Sequence, residues 1–209
     1  NNVATISDEL TADEAVVLQL KLSVDGKEAT QNYNVTLKAV QKVAIANLET
    51  ATIEAGAKIR VEGVVIARGS DNAEPANVYT ILADLTSKKL VAVVGTVCEA
   101  TVGDKVAVIA EYAESDWGSV NCKMLLNVED SKVVSTGNEV DFAALTTTTL
   151  ETAEQYSTFY NNGNLNLIQI VKVVDPYLIY SGNTTYNFLR FGATAANAKE
   201  GLPVQTKNN

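Results

Sequence analysis

The chain has 209 residues and a formal net charge of -9 at pH 7, with 46% hydrophobic and 20% charged residues. Length and composition describe a globular chain that holds one large domain or several small ones, and they exclude wholesale disorder. The acidic balance disfavours nucleic acid as a partner, since phosphate binding needs a basic patch and Lys88-Lys89 is the one adjacent basic pair.

The first predicted element is a hairpin in "AVVLQLKLSVDGKEATQNYNVTLKAV". Two alternating runs flank an Asp-Gly turn at Asp25-Gly26, the dipeptide that reverses a β-ribbon most readily. This is too little chain for a complete sandwich. Residues 1–42 therefore read as an Ig-like segment, whole or partial, with a boundary near Gln41-Lys42.

A short lead-in, "VAIANLETATIEAG", opens the next part, and strands are predicted near 57–67, 77–86, 88–96, 104–114 and 119–128. Five strands of this length, punctuated by Gly63, Gly69, Gly95, Gly103 and Gly118, fit a five-stranded Greek-key barrel of the oligonucleotide/oligosaccharide-binding (OB) type over residues 43–138. An open sheet would give a similar pattern. Gly63, inside the first strand, is expected to bend or bulge it. In "VGDKVAVIA" a turn delivers a strand with Val106, Val108 and Ala110 on one face.

Residues 139–209 are expected to hold a second OB-like unit, incomplete in this stretch. "VDFAALTTTTLETA", from Val140, echoes the lead-in from Val43, and "LNLIQIVKVVDPYLIYSGNTTYNFLRFG" repeats the strand, turn, strand form of Ile59 to Gly95. Within it, "TLETAEQYSTFYNNG" predicts one helix, because Tyr156, Phe159 and Tyr160 share a helical face and Asn-Asn-Gly at 161–163 can end it. The predicted fold class is thus mainly β: an OB-like five-stranded barrel, a short Ig-like N-terminal segment, and a second, partial OB-like unit containing one helix.

Histidine is absent, which removes Ser-His-Asp and Cys-His nucleophile pairs, the HExxH zinc helix and every histidine general base. Cys98 and Cys122 have no CxxC spacing; two free thiols and one disulfide both stay open. The apolar runs, such as "LVAVVG", fall far short of the roughly 18 residues that a membrane helix requires. Met124 is the single methionine, so the chain is expected to derive from a processed or longer precursor.

The candidate ligand-binding residues are aromatic and polar. In "DPYLIYSGNTTYNFLRFG", Tyr177, Tyr180 and Tyr186 flank a turn with Asn187 and Arg190 nearby, a composition suited to stacking and hydrogen-bonding a sugar. The alternative use of these rings is core or interface packing. Trp117 is placed in the turn between the fourth and fifth barrel strands, where OB barrels present ligand loops. It could equally cap one barrel end. Acidic loops, with Asp71 and Glu74 or with Glu111, Glu114 and Asp116, lack the order of a calcium loop and read as solvated. No catalytic residues, metal ligands or cofactors are assigned.

Three elements carry a family resemblance: Ile45-Ala46-Asn47-Leu48 as an "IA-x-L" lead-in, the first strand from Gly56 to Val64, and the "G-x-x-V" turn from Gly103 to Val106. Over about residues 35–135 the chain resembles the junction of an Ig-like repeat and an OB-like domain of uncharacterised function in secreted and surface-lipoprotein sequences of Bacteroidetes. The resemblance implies an exported, non-catalytic accessory module, secreted or held at the cell surface (outer membrane lipoprotein, periplasmic or extracellular face), with any lipid anchor outside this chain. The expected function is then a binding module for a glycan or another surface protein. A structural spacer for an adjacent enzyme or anchor is the rival, and single-stranded nucleic acid binding, which needs Arg60, Arg68, Lys88, Lys89 and Lys123 on one barrel face, is the weaker third.

Overall fold

The computed structural model describes residues 10, 12–37, 39–70, 78–117, 120–161, 168–175, 177–180, 187–191 and 200–204. The first two strands, β1 (Glu14–Val24) and β2 (Lys27–Leu37), form a sheet of their own. Their register runs without interruption from Glu14 opposite Leu37 to Val24 opposite Lys27. Asp25 and Gly26 alone make the turn, with φ of 50° and 75°. Positive φ at both central residues matches the twist of the ribbon and explains why Asp-Gly stands there.

After this hairpin comes a barrel sheet. β3 (Gln41–Lys42) runs parallel to the start of β4 (Lys58–Ser70), and a single 3-10 turn, Ile45–Asn47, lies between them. β4 continues antiparallel to β5 (Val78–Asp84), which pairs with β6 (Lys89–Val94). β6 touches β8 (Val120–Ser135) in parallel at Val93 and Leu125, β8 pairs antiparallel with β7 (Lys105–Trp117), and β7 returns to β4. The circuit β4-β5-β6-β8-β7-β4 is closed. Five strands in this order, with one parallel contact between the third and the fifth, make an OB-like Greek-key barrel.

Alternation along the strands fills it. Ile59, Val61 and Val65 of β4, Leu82 of β5, Val91 and Val93 of β6, Val106, Val108 and Ala110 of β7 and Leu125 of β8 are buried in one cluster. Val43, Ile45 and Leu48 of the lead-in join the same cluster. The 3-10 turn thus contributes to the barrel core. Gly63 serves this packing: a Cβ there would stand 2.6 Å from Ile45 Cδ1 and 2.9 Å from Leu82 Cβ. The bulge expected at Gly63 lies further along, where the β4–β5 register shifts between Val65 and Ala67. The glycine is needed for a close approach.

The turn before β7 ties the barrel to the segment beyond it. Gly103, at φ +94°, donates to Val65 O at 2.9 Å and accepts from the backbone N–H and Nδ2 of Asn138 at 2.9 and 2.8 Å. Asp104 stiffens the turn by accepting from Thr101 N and Oγ1 at 2.8 and 3.0 Å. Beyond Asn138 lie α1 (Phe142–Leu145), capped where Asp141 Oδ1 accepts from Ala144 N at 3.0 Å, and β9 (Thr146–Leu150).

The helix predicted around Tyr156 is α2 (Ala153–Asn161). Thr152 Oγ1 accepts from Gln155 N at 3.2 Å, and Gln155 Oε1 accepts from Glu151 N at 2.6 Å, a reciprocal arrangement close to a capping box. Tyr156 and Phe159 are buried with Leu150 and pack on Val171 and Val173. β10 (Ile170–Val173) runs parallel to β9, so β9, α2 and β10 form a small β-α-β unit. A separate antiparallel sheet holds β11 (Tyr177–Tyr180), β12 (Asn187–Phe191) and β13 (Glu200–Val204). Among the described residues, the strands after Asn138 remain in these two sheets and close no second barrel.

Candidate functional site

Ligands of OB-type barrels meet the outer face of the second and third strands, here β5 and β6. That face is covered at its Ala83 end. Ala83 of β5 and Ile66 of β4 are 1% and 5% exposed and cluster with Leu145 of α1, with Ile81, Leu85, Leu90, Val140 and Ile170 packed around them. The segment after the barrel has folded back onto the surface where a bound oligomer would lie. The sequence carries a trace of this: outward positions of β4 change from Lys58, Arg60 and Glu62 to Val64 and Ile66, and apolar residues on both faces of a strand mark a face that is covered.

The basic residues that nucleic acid binding would need are dispersed. Arg60 Nη2 bonds Glu62 Oε1 at 3.0 Å on β4. Arg68 donates to Ala100 O and Val97 O at 2.7 and 3.4 Å. Lys123 of β8 sits 5.7 Å from the ring centroid of Tyr112, and Lys88 and Lys89 lie at the β5–β6 turn. They occupy different strand pairs and do not form one stripe.

One charged cluster has no counterpart among the sequence candidates. Glu62 accepts from Lys42 and Arg60 through Oε1, at 2.9 and 3.0 Å, and from Lys105 through Oε2 at 3.0 Å, with its side chain 15% exposed. The Lys42 hydrogen bond, then those from Lys105 and Arg60, outweigh the opposing effect of burial and pull the carboxyl from 4.5 to about 2. Lys42 comes from β3, Arg60 and Glu62 from β4, and Lys105 from β7. Glu62 therefore joins three strands at the seam where the barrel closes; its neighbour Arg60 is local on β4, but Lys42 and Lys105 come from distant segments that no local spacing announces.

Two other perturbed groups, Tyr112 and Cys122, are held protonated. Burial, then the Glu49 carboxylate accepting from its hydroxyl at 2.5 Å, raises the Tyr112 phenol. Burial also raises the Cys122 thiol. A phenol and a thiol kept protonated are poor bases and nucleophiles. Cys98 and Cys122 are both free thiols. Among the described residues no group of three or more Asp, Glu or Cys could hold a metal ion, and no helix is long and apolar enough to cross a membrane.

None of the ligand-binding residues singled out from sequence has its side chain among the described residues. Trp117 is the last residue of β7, opposite Val120, and not within the turn itself; its side chain lies outside the described residues. Tyr186, Asp71 and Glu74 lie outside the described residues altogether. The β11–β12 register sets Tyr177 opposite Arg190 and Tyr180 opposite Asn187. The pairing makes two cross-strand pairs of these four residues, whose side chains lie outside the described residues. Glu111 accepts from Asn127 Nδ2 at 3.0 Å, a structural use in the β7–β8 bulge.

Among the described residues, the most exposed apolar surface lies on the hairpin. Leu18, Leu20, Leu22, Val24 and Tyr33 are 49–60% exposed. Residues paired across the two strands share a face, and the register places Val16, Leu18, Leu20, Leu22 and Val24 together with Ala29, Tyr33, Val35 and Leu37. The opposite face carries Gln19, bonded to Asn32 at 3.2 Å, and Lys21, paired with Glu28 at 2.9 Å. That face is polar apart from Ala15 and the exposed Val17, and the other is apolar apart from Gln31 and the terminal Glu14 and Lys27. No family model, curated protein or solved structure matches the chain.

Proposed function

We propose that this chain is a non-catalytic module, secreted or displayed at a cell surface, that binds a protein partner. The observation that carries the reading is the exposed apolar face of the β1–β2 hairpin. Contiguous apolar surface of this kind is costly in water and marks an association site, and an isolated two-stranded ribbon is at best marginal. Two further points support it. The barrel face on which OB proteins hold oligomers is partly covered by Leu145 and its neighbours, and Tyr112 and Cys122 are held protonated.

A glycan reading draws on the Tyr177–Arg190 and Tyr180–Asn187 pairs of β11–β12, each an aromatic beside a hydrogen-bonding group. A spacer that binds nothing is the structural rival. Two measurements separate the three. A thermal-shift panel of soluble glycans, calcium and a single-stranded oligonucleotide should leave the midpoint unmoved, since a ligand of the native state must raise it. At dilutions where the chain is monomeric, anilinonaphthalene sulfonate should fluoresce with the unmodified chain and dim with Leu18→Ser/Leu20→Ser. A dose-dependent shift with one glycan would replace the protein-partner reading with the glycan one; absent dye binding would leave the spacer.

A further inference from the structure

We infer that the partner of the hairpin is a second copy of the same hairpin, stacked face to face with its strands running the opposite way. This deepens, and rests on, the reading of the apolar face as an association surface.

The argument is in how that face ends. Eleven paired positions make a ribbon about 35 Å long, and its apolar face is uncharged except at its two extremities. Glu14 stands at the open end, opposite Leu37, and Lys27 at the turn end, opposite Val24. Both belong to the apolar face by register, and neither has an ion-pair partner among the described residues. A copy laid on in the same direction would set carboxylate on carboxylate and ammonium on ammonium. A copy turned by a two-fold axis sets Glu14 of each against Lys27 of the other, with Leu18, Leu20 and Leu22 sealed between.

The face is thus self-complementary in one orientation only, which is what an isologous dimer requires. Gln31, opposite Leu20, lies one position from the middle of the ribbon; a two-fold axis at that middle would bring the two copies' glutamines close enough to pair with one another. Two faces of this size, packed like the sheets of a sandwich, would remove on the order of 1,200 Å² from water, where stable interfaces begin. The polar face, with its Gln19–Asn32 and Lys21–Glu28 contacts, stays toward solvent on both sides of the stack.

Sedimentation equilibrium of the full chain over a wide concentration range tests this. The expected result is a reversible monomer–dimer equilibrium. Leu20→Lys should abolish it. Glu14→Lys and Lys27→Glu should each weaken it about tenfold, because symmetry counts every charge reversal twice. The double variant should return to within about threefold of the unmodified chain. All these substitutions are at exposed hairpin positions, and an unchanged barrel melting transition shows that the variants remain folded. A dimer indifferent to Leu20→Lys, or to the charge reversals, overturns the inference. So does a chain monomeric throughout, and the dye then discriminates: a monomer whose fluorescence is lost in Leu20→Lys sinks the second copy but keeps a different protein partner, while a monomer that binds no dye sinks both.

Discussion

Ile45 Cδ1 occupies the space that a side chain at residue 63 would need, 2.6 Å from where a Cβ on Gly63 would stand. Gly63→Ala should therefore destabilise the barrel by about 3 kcal/mol, the upper range for overpacking. Ile45→Val in the same background should recover part of the loss. It cannot recover all of it, because Leu82 Cβ is still 2.9 Å away and Ala83 O 3.2 Å. Denaturant midpoints of the single and double variants measure this, and equal stability of Gly63→Ala and the unmodified chain would refute the close approach.

Only half of that relationship is legible in the sequence. A glycine inside an alternating strand marks a special position, and Gly63 stands out as one. The reason for it does not, because the atom that demands the space belongs to a turn well upstream, and only closure of the barrel brings the two together. The barrel itself is legible since each strand carries its own alternation and each turn its own glycine or aspartate. The role of Glu62 is not, since its three cations come from three strands.

Thr80 is 0% exposed and its Oγ1 has no hydrogen-bond partner among the described residues. A buried hydroxyl without a partner forfeits its hydration. Replacing it with a methyl of nearly the same shape should help: Thr80→Val is expected to raise stability by about 1 kcal/mol. Core substitutions usually do the reverse, so the sign alone is informative. A lowered melting temperature for Thr80→Val would mean that the hydroxyl finds a partner in solution.

Leu145, 2% exposed, anchors the segment after the barrel onto Ile66 and Ala83. Truncation to alanine removes a buried isopropyl group and should cost about 3 kcal/mol. The loss should be local. Amide exchange should quicken in β9 and β10 while β4, β5 and β6 keep their protection, as expected when one cooperative unit loosens from another. Equal acceleration in both would show a single cooperative unit.

The candidate site is less legible than the fold for a related reason. Tyr177, Tyr180, Asn187 and Arg190 stand close in sequence and look like one cluster, but the strand pairing divides them into two cross-strand pairs. The hairpin face does not announce itself as a surface because alternating Leu and Val ordinarily means core. Whether an apolar face is covered depends on the rest of the molecule, and Leu18 to Val24 carry no mark of the difference.

Glu62 gives the barrel an acid limb. Its carboxyl falls from 4.5 to about 2 on folding, chiefly through Lys42 and then Lys105 and Arg60. The folded state therefore binds the proton more weakly than the unfolded one. The resulting stability is fully present above about pH 4.5 and is lost as pH falls toward 2. Glu62→Gln leaves Lys42, Arg60 and Lys105 facing one another without an anion. At pH 7 it should cost about 2 kcal/mol, with salt reducing the penalty by screening the two exposed lysines. The gap between variant and unmodified chain should narrow as the pH is lowered through that window, because the protonated glutamate then resembles the amide. Urea midpoints at pH 7, 4 and 2.5 would display the convergence; a gap independent of pH would mean that Glu62 acts through shape and not through its charge.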